Sequence, residues 1–317
     1  MRDVTRHEVG DRRIADALED IRGRALARWH GLRYDDPSPR RLRRMGDELF
    51  AYVAARTVRA PTLDETSQSA LRTAAECALG VLSIGCFPGG DQEVVLPLVD
   101  RRITSEDHAF RDVVDEAPTA RTWLDAFGLC LVSGVVWDWE RVIGLLLRGD
   151  YAPAVRAGVP YSPFTPVSRP ADLAAMDALC LYLTEAEGHL PRDWPTVPLR
   201  KPDDDERAAA ARVLDAAGPL TADQRLLRIL LDDDQDRFED ALANRLVEHR
   251  QGVGSDPGPA TLLPLDALAL ATLAVQVHGW ELGVRSGYLP SDVLGSPQAL
   301  QQADALGVND LGYWTAK

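Results

Sequence analysis

The chain has 317 residues, 45% of them hydrophobic, and its 35 Lys+Arg against 49 Asp+Glu leave a formal charge of −14. That length and apolar content suit one large or two modest globular domains and exclude disorder of the whole chain. Proteins that grip phosphates cluster Lys and Arg, so the balance disfavours nucleic acid and membrane lipid as partners and favours a basic partner or none.

The acidity is uneven, because residues 1–60 hold 14 Arg against 10 Asp+Glu and the remaining chain therefore carries −18. No apolar targeting run follows Met1, and the longest apolar stretch, 262–280, is broken by Pro264, Asp266, Gln276 and His278. It makes a poor membrane span, so a cytoplasmic location is expected. Cys77, Cys86, Cys130 and Cys180 sit in apolar runs without a CxxC pair, which predicts buried free thiols and neither zinc nor redox exchange.

Helical periodicity dominates. Ile14, Ala17, Leu18, Ile21 and Ala25 recur at three- and four-residue steps and predict one helix through about Arg28. Ser38 followed by Pro39 reads as an N-cap and first-turn proline, opening a helix that stops near Pro61. Thr62 and Glu65 have capping-box spacing and start a third, ending at Pro88-Gly89-Gly90. The β-rich run 93–99, with Arg102-Ile103-Thr104 as partner, allows a small hairpin near 93–104.

Helices are expected again over 122–133 and 139–147, with a short one over 151–156. Five prolines within 153–170 then make an extended connection. Beyond it helices are predicted over 172–187, 203–217, 221–231 and 236–250, and 252–259 reads as a linker. Leu265, Leu268, Ala269, Leu270, Leu273, Val275 and Val277 are apolar nearly all round and mark a buried core helix; a last short element follows Tyr288-Leu289-Pro290. The expected fold is mostly α, built of stacked helical hairpins. It is read as a single domain over 1–317, with subdomains 1–158 and 171–317 as the alternative division.

Asp232-Asp233-Asp234-Gln235-Asp236 matches the DDxxD pattern by which class I terpene synthases hold magnesium and diphosphate. The second metal motif of that chemistry is missing after Asp236. The competing reading is a turn between helices, with Asp234 as N-cap and Asp236 in the first turn. His278 near Glu281 reads as a cation at the end of the core helix or, less simply, as half of an acid/base pair. Trp123, Trp137, Trp139 and Phe127 read as core, with a ligand pocket as the alternative. No motif calls for a cofactor or metal.

Several segments resemble the immunity protein 49 family, antidotes of bacterial polymorphic toxin systems. They are Arg6-His7-Glu8 leading to Ala15-Asp16-Ala17-Leu18-Glu19-Asp20-Ile21; Thr122-Trp123-Leu124-Asp125-Ala126-Phe127; Leu230-Leu231-Asp232-Asp233-Asp234 through Phe238 and Ala241-Leu242 to His249; and Asp266-Ala267-Leu268-Ala269 with Ser286-Gly287-Tyr288-Leu289-Pro290. The resemblance implies a mostly helical, non-enzymatic cytoplasmic binder of a cognate toxin. Many such toxins are nucleases with basic grooves. An acidic surface would suit one, and the candidate contacts are Asp203, Asp204, Asp205, Asp232, Asp233, Asp234 and Asp236. The other class is a small-molecule enzyme or resistance protein of secondary metabolism, with a cavity among Trp123, Asp125, Asp177 and His278.

Overall fold

The computed structural model describes residues 1–35, 38–106, 110, 114–138, 141–158, 168–188 and 190–306. Its helices are α1 (Asp11–Leu18), α2 (Ile21–Tyr34), α3 (Pro39–Arg59), α4 (Glu65–Cys86), α5 (Ala120–Val132), α6 (Ile143–Leu145), α7 (Ala152–Ala157), α8 (Pro170–Cys180), α9 (Asp204–Ala216), α10 (Ala222–Leu230), α11 (Gln235–Gly252), α12 (Leu265–Gln276), α13 (Ser291–Leu294) and α14 (Ala299–Leu306). The strands are β1 (Arg2–Val4), β2 (Glu93–Leu96), β3 (Arg101–Thr104) and β4 (Val284–Ser286). The fold is mostly α.

Local capping chemistry sets most helix starts. The Ser38 hydroxyl accepts from Arg41 N at 3.2 Å, with Pro39 beside it in the first turn of α3. Thr221 and Gln224 exchange the two bonds of a capping box on α10, at 3.2 and 2.9 Å. At α4 the cap is Asp64, not Thr62: its carboxylate accepts from Ser67 N at 2.9 Å, and an Asp at the cap leaves the dipole a negative charge that Thr lacks. The expected hairpin forms, β2 and β3 pairing antiparallel from Glu93↔Thr104 to Leu96↔Arg101.

Three expectations change. The single helix ending near Arg28 is two helices, because Asp20 takes a left-handed φ of 31° and turns its side chain onto Gly23 N at 3.1 Å, opening a new N-terminus. Helix α8 ends at Cys180 rather than near 187, since Arg200 N donates to Tyr182 O at 2.9 Å and Thr184 N to Pro198 O at 3.0 Å, giving that backbone strand-like partners. The helix expected over 139–147 is only the short α6, preceded by Val142 at φ 45° and continued by a π turn, Leu146–Tyr151, into α7. Residues 139 and 140 lie outside the described residues, as does 159–167 of the proline-rich connection.

Helix α3 packs on α4, α4 on α5, and α5 on both α12 and α8; α10 packs on α11 and α12, and α8 on α9. The buried apolar side chains form one cluster from Val4 to Ala303. The stretch Pro259–Gln276 is long and apolar enough to cross a membrane, yet 72% of it is buried against the rest of the chain, as a core helix is. Trp123 and Phe127 stack with centroids 5.2 Å apart, and the Trp123 indole N–H donates to Leu147 O at 2.9 Å. The core reading of Trp123, Trp137 and Phe127 therefore holds, while Trp139 lies outside the described residues. The chain's start is closed onto its end, β1 running parallel to β4 from Arg2↔Val284 to Val4↔Ser286.

All four cysteines are buried and free, and burial pushes the Cys86 and Cys180 thiols up to about 12. A thiol reagent is expected to label none of them in the native protein and all four in denaturant; rapid native labelling would contradict this packing. Phe127→Ala should cost about 3–5 kcal/mol in urea unfolding, through lost burial and the cavity left beneath Trp123.

Candidate functional site

The two aspartate runs, 203–205 and 232–236, start as helix caps. Asp203 accepts from Glu206 N at 2.8 Å while the Glu206 carboxylate accepts from Asp203 N at 2.9 Å, closing a capping box on α9. Arg200 chelates Glu206 at 2.5 and 2.8 Å and holds its carboxyl down at about 2. Asp234 caps α11 by accepting from Arg237 N at 3.1 Å, and Asp236 stands in that helix's first turn. The turn-and-cap reading of the DDxxD match is thus the observed one.

The structure then joins the runs. Asp233, left-handed at φ 56°, meets Lys201 at 2.7 Å, Arg207 at 3.1 Å and His278 Nδ1 at 2.6 Å. Arg207, itself buried, also holds Asp204 at 2.5 Å and the Pro202 carbonyl. Asp232 accepts from Arg228 at 2.5 Å and Arg237 at 2.8 Å. Asp203, Asp204, Asp205, Asp232, Asp234 and Asp236 are exposed, and among the described residues Asp205 and Asp236 make neither an ion pair nor a hydrogen bond. Most of this acidity is spent within the chain. What it offers outward is concentrated on those two carboxylates and the rim of the caps.

His278 is the residue whose role the sequence misplaces. Its side chain is 0% exposed, and burial, reinforced by Lys201 and Arg207, lowers its pKa to about 4. The ring is neutral and so cannot act as a cation at the end of α12. With the Asp233 carboxylate accepting from Nδ1, Nε2 is left to accept from the Tyr182 hydroxyl at 2.9 Å. Carboxylate, imidazole and phenol stand in the order of a proton relay, but Tyr182 is also 0% exposed and no substrate reaches the phenol end. The arrangement locks four segments together.

The other proposed pocket residues are not gathered around His278. Asp125 pairs with Arg121 and lines a cavity of about 190 Å³ with Arg43, Asp47 and Phe50; Asp177 pairs with Arg156 and lines a separate shallow groove between α8 and α9; Trp123 is sealed in the core.

The segments that resemble the immunity protein 49 family do meet in space. Arg121 bridges Asp125 and Asp266, at 2.5 and 2.9 Å to the latter, joining the first turns of α5 and α12. Arg6 donates to the Thr57 hydroxyl at 2.8 Å and to Gly287 O at 2.9 Å. His7 Nε2 donates to the Thr261 hydroxyl at 2.9 Å and His7 Nδ1 accepts from the Tyr288 hydroxyl at 2.7 Å, while His249 Nε2 donates to Thr261 O at 2.7 Å. The contacts of Arg6 and His7 with Thr261, Gly287 and Tyr288 span more than 250 residues, and no local spacing signals them.

The His278 shift sets a pH dependence. The unfolded imidazole titrates near 6.5 and the folded one at about 4, so the unfolded chain takes up the proton first. Stability is full above about 6.5 and is lost as pH falls toward 4, by on the order of 3 kcal/mol. Urea unfolding across that window should show the loss, and His278→Gln should flatten it. An unchanged slope in the variant would contradict the buried neutral ring.

Residues 58–293 match the family model described as Immunity protein 49, covering α4 to α12 and the segments joined by Arg121 and Asp233. No curated protein and no solved structure matches the chain. With most of its length matched, the chain belongs to the Immunity protein 49 family.

Proposed function

We propose that this protein is a cytoplasmic immunity protein that binds and neutralises a cognate bacterial toxin, acting by occlusion and not by chemistry. Family membership over 58–293 is the observation that carries the reading. The surface around the joined aspartate runs supports its electrostatic part. Five cations, Arg200, Lys201, Arg207, Arg228 and Arg237, pair with four of the eight carboxylates there, Asp204, Glu206, Asp232 and Asp233; among the described residues Asp203, Asp205, Asp234 and Asp236 make no ion pair, which leaves exposed negative charge on this face. A toxin with a basic groove, as a nuclease has, would meet carboxylates where its substrate presents phosphates.

The internal ion pairs dictate which substitutions test this. Asp233 and Asp232 are tied into the fold, so their loss mixes stability with binding. Asp205→Asn with Asp236→Asn removes outward charge and leaves the fold intact. If a neighbouring gene encodes a toxin, co-expression with that toxin should rescue growth, and the double variant should slow association by roughly threefold or more at low salt. Absence of a complex with that toxin would overturn the immunity reading; a complex indifferent to salt and to both variants would overturn its acidic-surface form.

A further inference from the structure

A second feature stands apart from the aspartate junction. Between α4, the loop 87–93 and the π turn Leu146–Tyr151 lies a cleft of about 500 Å³. It is lined by an ion pair, the buried Glu76 on α4 accepting from the part-exposed Arg141 at 2.6 and 2.9 Å. That pair satisfies both partners. Leu79, Ile143 and Leu146 add apolar walls, and Phe87, 37% exposed, stands at the mouth with its ring 6.1 Å from that of Tyr151.

Two groups in the cleft have no partner among the described residues. Tyr151 is only 6% exposed, lines the cleft, and its hydroxyl makes no hydrogen bond. Asp150, an exposed residue at the edge of the cleft, makes neither ion pair nor hydrogen bond, and partial desolvation raises its pKa. The backbone carrying them is unusual. Val142 has a φ of 45°, costly for a β-branched residue, and the chain then widens into a π turn, a form frequent at functional sites. An unpaired carboxylate at the mouth and the unpaired, accessible hydroxyl of an otherwise buried tyrosine, beside an aromatic face, are the complement of an N–H cation. Among the described residues Arg141 is the only cation lining the cleft and is already spent on Glu76; Asp91 and Glu93 add negative charge at the rim.

We propose that this cleft binds an ammonium or guanidinium group on an apolar stem, the head between the Asp150 carboxylate, the Tyr151 hydroxyl and the Phe87 ring, the stem along Leu79, Ile143 and Leu146. A free alkylamine and the Lys or Arg side chain of a bound protein share this chemistry. The site rests on its own geometry, independent of the toxin reading.

Calorimetric titration of the full chain with agmatine tests it, with 1-pentanol as the uncharged control. Agmatine should bind saturably and pentanol should not. Asp150→Asn should weaken agmatine about tenfold and Tyr151→Phe about threefold, both with unchanged thermal unfolding, since neither group holds another part of the fold. A capped Gly-Arg-Gly peptide separates the sources: binding as tight as agmatine's identifies a protein side chain, and its exclusion identifies a free amine. No agmatine binding, or binding untouched by Asp150→Asn, overturns the proposal.

Discussion

One carboxylate, that of Asp233, ties together parts of the chain that the sequence keeps far apart. Its two oxygens serve Lys201 and Arg207 at the start of α9 and His278 beyond α12, while its own backbone makes the turn from α10 to α11. Through His278 the same tie reaches Tyr182 after α8. Such a tie depends on completeness, because a partly buried charge is stable only while its partners are present. Two cations and a neutral imidazole meet that condition. They also explain why His278 is not protonated, since burial disfavours the charged ring and a third positive charge would face Lys201 and Arg207.

This constraint divides the acidic excess into two kinds. Asp203, Asp204, Asp232, Asp233 and Asp234 cap helices or hold arginines, and their charge is mostly neutralised where it stands. Asp205 and Asp236 are left to face solvent unpaired. The seven aspartates of the two runs therefore overstate the free carboxylates shown to a partner there, and the surface able to steer association is narrower than the runs suggest. The cleft over Glu76 and Arg141 repeats the pattern, with a neutralised pair beneath and an unpaired carboxylate at the opening.

What was legible in the sequence was local. Ser38-Pro39, the cap at Asp234, the 93–104 hairpin and the apolar helix after Pro264 all act within a few residues, where side-chain chemistry and backbone need coincide. The break at Asp20 was hidden, because the apolar spacing continues through it while one left-handed residue redirects the chain. The early end of α8 was hidden because its competing partners lie near Arg200. The three-residue strands β1 and β4 are too short to alternate and find each other across the whole chain. Of the candidate site, the residues were legible and their grouping was not. Nothing in the spacing of Lys201, Arg207, Asp233 and His278 says that they touch, and the segments that resemble the family include Asp233 but none of its three partners.

The claim on which the rest depends is that Asp233 holds the fold while its exposed neighbours do not, and urea unfolding at neutral pH compares them directly. Asp233→Asn should lose about 2–4 kcal/mol by stranding Lys201 and Arg207, whereas Asp205→Asn and Asp236→Asn should stay within about 0.5 kcal/mol of the parent. Equal stability of all three variants would contradict the account.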